Sequence, residues 1–383
     1  MKKLEIGSER PVQNPSTAFW GERLQLVREF RGYTQKEMGD LLGVSHALIS
    51  DYEKGKRFPS ADLLNSLSDK TGFVPDFFLR RIEDPFLESQ CSFRHRRNTA
   101  GRLKDQVRAQ ATLLGIIVSS FKTWMRFPEF NVPSIPASTV SELEAAAERC
   151  RVHWGLDTDA PILQVGRVLE SAGVVIVPST VDTTKIDAFS RHGKNSMIFL
   201  NRGAGTRPSR WNFDLAHECA HLVAHRDLPT GSLETEQAAD QFASAFLLPA
   251  RSFGREFRTR RFEWRHVFEL KQRWQVSAAA IVRRARDLHL LDELAYRRAF
   301  QYMSFKRWRT AGEPYEPTFQ EPELFLGAIN ALLKSKKKTL AQLCAEVGIS
   351  QKVFSDITGI QGQDTAQLGN LLAFPLSAST RSD

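Results

Sequence analysis

Phe213-Asp214-Leu215-Ala216-His217-Glu218-Cys219-Ala220-His221-Leu222-Val223-Ala224 is the stretch that decides how this chain is read. On a helix, residues four apart lie one above the other, so His217 and His221 reach a single metal ion. Glu218 then stands beside that ion, placed to take a proton from water. The surrounding residues are apolar, and ionisable groups in apolar company cost several kcal/mol, roughly, unless they are paired or bound to metal. A third ligand is available downstream, where Glu236 to Leu248 reads as a second helix, apolar at Ala239, Phe242, Ala243, Phe246 and Leu247 and stopped by Pro249. Glu236 and Asp240 share one face of it. A single helix can thus offer Glu236 to the metal and Asp240 to the outer ring nitrogen of a ligating histidine. His225 competes as third ligand, but eight residues of helix put it about 12 Å along the axis from His217. It reads instead as a residue at the helix C-terminus, interacting with the last carbonyls.

The run Asp187 to Ser190, the strand Met197 to Asn201, the Phe213 to Glu218 stretch, and Phe242-Ala243 through Leu248-Pro249 together resemble the ImmA/IrrE family of zinc metallopeptidases. The likeness covers roughly residues 140 to 295. It implies a compact α+β, gluzincin-like fold, a zinc site of His217, His221 and Glu236, Glu218 as base, and regulatory cleavage of a partner repressor. Cys219-Ala220 stands where the family often has Leu-Gly, and Ala238 where many members carry a further acid.

A second informative region lies near the N-terminus. Thr34 caps a short helix, Gly43 makes a turn, and Ser45 caps a helix from His46 to Tyr52. Met38, Leu41, Val44, Leu48, Ile49 and Tyr52 form the inside of this two-helix corner, while Gln35, Ser45, His46, Ala47 and Ser50 stay outward. With the basic turn Lys54 to Arg57 behind it, this helix-turn-helix resembles the XRE, or phage-repressor-like, DNA-binding family from about Phe19 to Phe77. The resemblance implies that Ser45, His46, Ala47 and Ser50 read base edges, and that Gln35, Lys54, Lys56 and Arg57 hold the phosphate side.

Composition fits two functions on one chain. The 383 residues accommodate two to three domains, and 53 Lys plus Arg against 44 Asp plus Glu give +9, a balance that favours nucleic acid. The excess is concentrated in Arg94, Arg96, Arg97, Arg102, Lys104 and Arg108, and in eleven basic residues against three glutamates between Arg251 and Arg286. Either cluster extends a DNA footprint, binds an acidic partner or is a solvated face. Cys91, Cys150, Cys219 and Cys344 have no paired spacing and read as reduced, hence cytoplasmic. There is no signal-peptide core and no long apolar run, so a membrane is not expected.

The expected architecture is multidomain and mainly α with a small β-sheet. A flexible arm (1–17) precedes a five-helix DNA-binding domain (18–80), then a linker with a helix at 102–126 packed on the peptidase domain (81–139), the peptidase-like domain (140–295), and a helical, partner-binding C-terminal lobe (296–383). A helix around Glu142 to His153 and strands at Val174 to Val177 and Met197 to Asn201 fill the third domain, the latter strand as the edge that pairs an extended substrate. Trp274-Gln275-Val276-Ser277 looks like another helix-turn-helix but belongs to the peptidase-like domain. Thr339 to Gly359 echoes the N-terminal motif, Gly348 matching Gly43 and Ser350 matching Ser45, without the basic turn. It reads as a packing or partner-binding element. The functional expectation is a DNA-binding regulator with a zinc-dependent endopeptidase domain that cuts another regulator in a stress or phage response. The rival reading is a DNA-binding sensor or antitoxin-like protein whose zinc domain is a binding scaffold. Expected partners are double-stranded DNA and a protein substrate, with a toxin partner and a homodimer left open.

Overall fold

The computed structural model describes residues 19–84, 101–180, 188–193, 195–201, 207–226, 232–257, 262–335 and 338–360. The N-terminal arm, Arg94, Arg96, Arg97, Cys91 and Asp187 lie outside them. In chain order the helices are α1 (Gly21–Phe30), α2 (Gln35–Leu42), α3 (His46–Glu53), α4 (Ala61–Thr71), a 3₁₀ turn (Pro75–Leu79), α5 (Gly101–Lys122), α6 (Val140–His153) and α7 (Val165–Ser171). Strands β1 (Val175–Ser179), β2 (Ala188–Arg191) and β3 (Met197–Asn201) follow. After them come α8 (Pro208–Ala224), α9 (Leu233–Leu247), α10 (Ala250–Glu256), α11 (Trp264–Trp274), α12 (Ala278–Asp287), α13 (Glu293–Phe305), α14 (Trp308–Ala311), α15 (Leu324–Lys334), α16 (Leu340–Val347) and α17 (Gln351–Thr358). Among the described residues the fold is thus mainly α with one small sheet. No helix among the described residues is long and apolar enough to cross a membrane.

Contacts divide the chain into two units. The first contains residues through Phe86, Ala100–Ile117 and Leu340–Phe354. Its α2 is closed by a capping box, in which the Glu37 N–H donates to the Thr34 hydroxyl and the Thr34 N–H to the Glu37 carboxylate. Gly43 ends α2 at φ 71, in the left-handed region that glycine enters without cost, and Ser45 caps α3. A β-carbon on Gly39 would stand 2.6 Å from the Val44 carbonyl oxygen, so only glycine lets α2 and α3 cross this closely. Met38, Ile49, Phe73, Phe77 and Phe78 are fully buried beneath the corner. The fifth helix expected here is the 3₁₀ turn.

Two later segments complete this unit, and both differ from expectation. The 102–126 helix was expected on the peptidase-like domain, yet α5 through Ile117 belongs with α1 to α4. Acidic partners explain this: Arg108 pairs with Glu29 at 3.0 Å and Arg102 with Glu37 at 3.3 Å, and Gln106 donates to the Phe30 carbonyl. Nor do the described residues between 296 and 360 form a separate lobe. Ile349 bridges Phe73 in antiparallel fashion; the Ser350 N–H donates to the Gly72 carbonyl at 2.8 Å and the Val74 N–H to the Gly348 carbonyl at 2.9 Å. The N-terminus of α17, where a reading helix would present its base contacts, is therefore turned onto Gly72. The segment is a packing element of the first unit.

The second unit holds the sheet, α6 to α15 and the end of α17. Its strand order is β1-β3-β2, with β1 parallel and β2 antiparallel to β3. β3 is therefore central, and the expectation that it offers a free edge is overturned. Four consecutive apolar residues, Met197 to Leu200, are buried on both faces, which is the pattern of an inner strand. α8 packs on the sheet and on α9, and α9 on α6. Phe242 and Phe246 of α9 are fully buried, each contributing roughly 1.5–3 kcal/mol of apolar burial.

Residues 296–335 are part of this same unit. Beyond α14, Glu316 accepts the Ser209 N–H at the start of α8 at 3.1 Å, and Glu313 accepts the Ala278 N–H at the start of α12 at 2.6 Å. Both carboxylates face Lys271 of α11, which is fully buried, at 2.6 Å from Glu316 and 3.5 Å from Glu313. One short strap thus satisfies two helix N-termini and one buried cation. Five of the described arginines in this basic cluster pair with acids: Arg284 forks onto Glu144, Arg273 pairs with Glu256, Arg265 with Glu269, Arg255 with Asp159 and Arg286 with Asp287.

Candidate metal centre and nucleic-acid face

α8 opens with Pro208 in its first turn, where a missing N–H costs nothing, and carries His217, Glu218 and His221 as buried residues. α9 is capped by Ser232 and places Glu236 in its first turn, where the helix dipole favours a carboxylate. The crossing of these two helices brings the three side chains together. Nε2 of His217 lies 3.3 Å from Nε2 of His221 and 3.3 Å from Oε2 of Glu236, and Nε2 of His221 lies 3.5 Å from Oε1 of Glu236. Tetrahedral bonds of about 2.0–2.1 Å require ligand atoms roughly 3.3–3.4 Å apart, so the spacing suits a small ion such as zinc. The donor set also suits it, since two imidazoles and one carboxylate are zinc ligands. Oε1 of Glu236, shielded from water, accepts no hydrogen bond. Converging lone pairs of this kind call for a cation between them.

Asp240 Oδ1 stands 2.9 Å from the outer nitrogen, Nδ1, of His217, and Asp240 Oδ2 is 3.5 Å from Arg283 of α12. Arg283 was not singled out from the sequence. Glu218 is fully buried in the same turn as the two histidines. His225 caps the C-terminus of α8, its backbone N–H donating to the His221 carbonyl, but its side chain turns inward rather than to the last carbonyls. It is buried, with Nδ1 3.1 Å from Nδ1 of His221, and burial together with neighbouring His217 holds its imidazole below the usual pKa. The spacing 217, 221, 225 was the signal for this: three residues at four-residue intervals form one stripe. Cys219 is sealed in the core and burial pushes its thiol well up, which leaves it no nucleophilic role.

In the first unit Ser45, His46 and Ala47 are exposed at the N-terminus of α3, with Ser50 half-buried one turn on. Lys54, Lys56 and Arg57 are exposed in the following turn, Arg57 within 3.6 Å of Asp51. Gln35 is less available than the sequence suggests, because its Nε2 donates to Glu53 Oε2 at 2.8 Å while Arg28 grips the same carboxylate. That network ties α1, α2 and α3 into one rigid corner.

A helix-turn-helix corner joined in one chain to a two-helix His, His, Glu site defines a DNA-binding transcriptional regulator carrying a peptidase-type domain. Comparison with known families agrees: residues 21–76 match the helix-turn-helix domain family, and residues 169–286 match the IrrE N-terminal-like domain. The chain belongs to the XRE-like helix-turn-helix regulators and carries an ImmA/IrrE-like domain. Among its relatives are three proteins of Bacillus subtilis (strain 168). The uncharacterized HTH-type transcriptional regulator YazB is 36% identical over 57 residues, 15% of this chain and 83% of that protein. The SPbeta prophage-derived uncharacterized HTH-type transcriptional regulator YonR is 39% identical over 67 residues, 18% of this chain and 62% of that protein. The HTH-type transcriptional regulator ImmR is 36% identical over 63 residues, 16% of this chain and 50% of that protein. The chain thus spans between half and two thirds of the length of the last two.

Proposed function

We propose that this regulator is also a zinc-dependent endopeptidase that cuts another DNA-binding regulator. The observation that carries the reading is the triangle of His217, His221 and Glu236 with Glu218 in the same helical turn. When bound there, zinc supplies Lewis acidity toward a peptide carbonyl and lowers the pKa of the attacking water. Glu218 takes the water proton on its carboxylate and hands it to the leaving nitrogen, so the amide breaks into a carboxylate and an amine. Asp240 holds His217 in the tautomer that leaves Nε2 unprotonated, and Arg283 holds Asp240. The substrate backbone runs along β2, which lies against α8 and, among the described residues, has a strand partner on one side only.

At the other unit, α3 enters the major groove with Ser45, His46, Ala47 and Ser50 toward base edges, and Lys54, Lys56 and Arg57 toward phosphates. Gln35 acts mainly by fixing Glu53. Reading DNA and cutting a regulator on one chain brings the protease to its substrate's own sites.

The test is Glu218→Gln. The amide keeps the shape but cannot act as base, so the variant should keep zinc and DNA binding, lose cleavage, and retain its substrate in a pull-down from stressed cells. Captured regulators that stay intact when incubated with zinc-loaded wild-type protein would refute the peptidase reading.

A further inference from the structure

The two imidazoles that face Glu236 are held from behind by different chemistries. Behind His217 stands a carboxylate, Asp240, 2.9 Å from Nδ1. His221 turns Nε2 toward His217 and Glu236, so its outer nitrogen is Nδ1, and this lies 3.1 Å from Nδ1 of His225. The His221 and His225 rings are 5.1 Å apart at 55°, both buried on α8.

For Nε2 of His221 to keep a lone pair for a metal, the hydrogen of this neutral ring must sit on Nδ1. The atom facing that hydrogen must then be an acceptor, which fixes His225 with Nδ1 bare and its own hydrogen on Nε2. We propose that His225 is a positioning residue: it accepts the Nδ1 hydrogen of His221 and sets the ring plane in which Nε2 faces Glu236. This rests on His221 being a ligand, as read above. His225 itself reaches no metal, because its Nδ1 is committed to His221 and about two turns of helix separate it from His217. The choice of imidazole over carboxylate has an electrostatic reason. Glu218, Glu236 and Asp240 already crowd acidic charge around these rings, and a fourth carboxylate would be costly to bury there. A neutral acceptor orients His221 without adding charge.

The experiment uses the full-length protein and zinc alone, titrated against a chromogenic chelator. His225→Phe fills the space but offers no acceptor, and should bind zinc about 10–100-fold more weakly. His225→Asn places an oxygen near the lost Nδ1 and should recover most of that affinity. The metal-free forms of wild type and both variants should melt alike, which separates orientation from packing. Nitrogen-15 spectra of the wild-type rings give a check that needs no variant, with hydrogen expected on Nδ1 of His221 and on Nε2 of His225. Wild-type zinc affinity in His225→Phe, or hydrogen on Nδ1 of His225, overturns the positioning role and leaves the ligand set standing. A wild-type protein that binds no zinc overturns the ligand set, and the positioning role with it.

Discussion

Replacing Lys271 by Met tests whether the strap beyond α14 belongs to the peptidase-like unit. Lys271 is wholly buried, Glu313 keeps 7% side-chain exposure and Glu316 23%. Removing the cation leaves two carboxylates facing each other, one of them in the interior. Breaking a buried pair from one side costs about 3–5 kcal/mol, which for a unit of this size lowers Tm by roughly 10 °C. The loss should depend on pH. Burial already raises the Glu313 pKa, with Lys271 as the main opposing influence, so without Lys271 it rises further. A carboxyl whose folded pKa lies above its unfolded value contributes stability that is fully present below the unfolded pKa and is lost as pH climbs through the folded one. The deficit of Lys271→Met is therefore largest near pH 8 and narrows toward pH 5. Urea unfolding followed by tryptophan fluorescence suits the measurement, because Trp264 and Trp308 pack together in this unit at 4.9 Å. Adding Glu313→Gln and Glu316→Gln should restore most of the loss, since neutral amides still accept from Ala278 and Ser209. A deficit under about 1 kcal/mol, or one that is flat with pH, would refute the reasoning.

Glu170 is buried and accepts the N–H groups of Glu323 and Leu324 at the start of α15, and burial raises its pKa to about 7. Stability should fall as pH rises through 7, and Glu170→Gln should flatten that slope by on the order of 2–3 kcal/mol in melts from pH 5 to 8. On the DNA side, Arg57→Ala should weaken binding to every duplex and reduce the salt slope by about one. His46→Ala should change which sequence is preferred, by roughly 1–3 kcal/mol at the affected base pairs in a random-library titration.

What was legible in the sequence was local. Thr34, Gly43 and Ser45 mark the ends of α2 and α3 because caps and left-handed turns are written in neighbouring residues. Helix periodicity likewise puts His217 with His221 on one face and Glu236 with Asp240 on another, while the meeting of the two pairs was implied only by the family resemblance. The order of the strands was not legible, because a run such as Met197 to Leu200 carries no record of which strands flank it. Arg283 meets Asp240, and Lys271 meets Glu313 and Glu316, only through tertiary folding. The fate of α5 and of residues 340–354 was hidden for the same reason. Their apolar periodicity called for a partner, and only the fold says which.

The docking of Leu340–Phe354 onto the first unit has a consequence in time. Arg80 donates to the Glu346 carbonyl across a separation of 266 residues. A ribosome adding about 5–20 residues per second needs on the order of 15–50 s to cover that distance. During this interval the DNA-reading corner exists as a nascent domain whose Phe73 and Phe77 side still awaits its cover. The completed corner is thus a report that the peptidase-like unit between its two parts has been made.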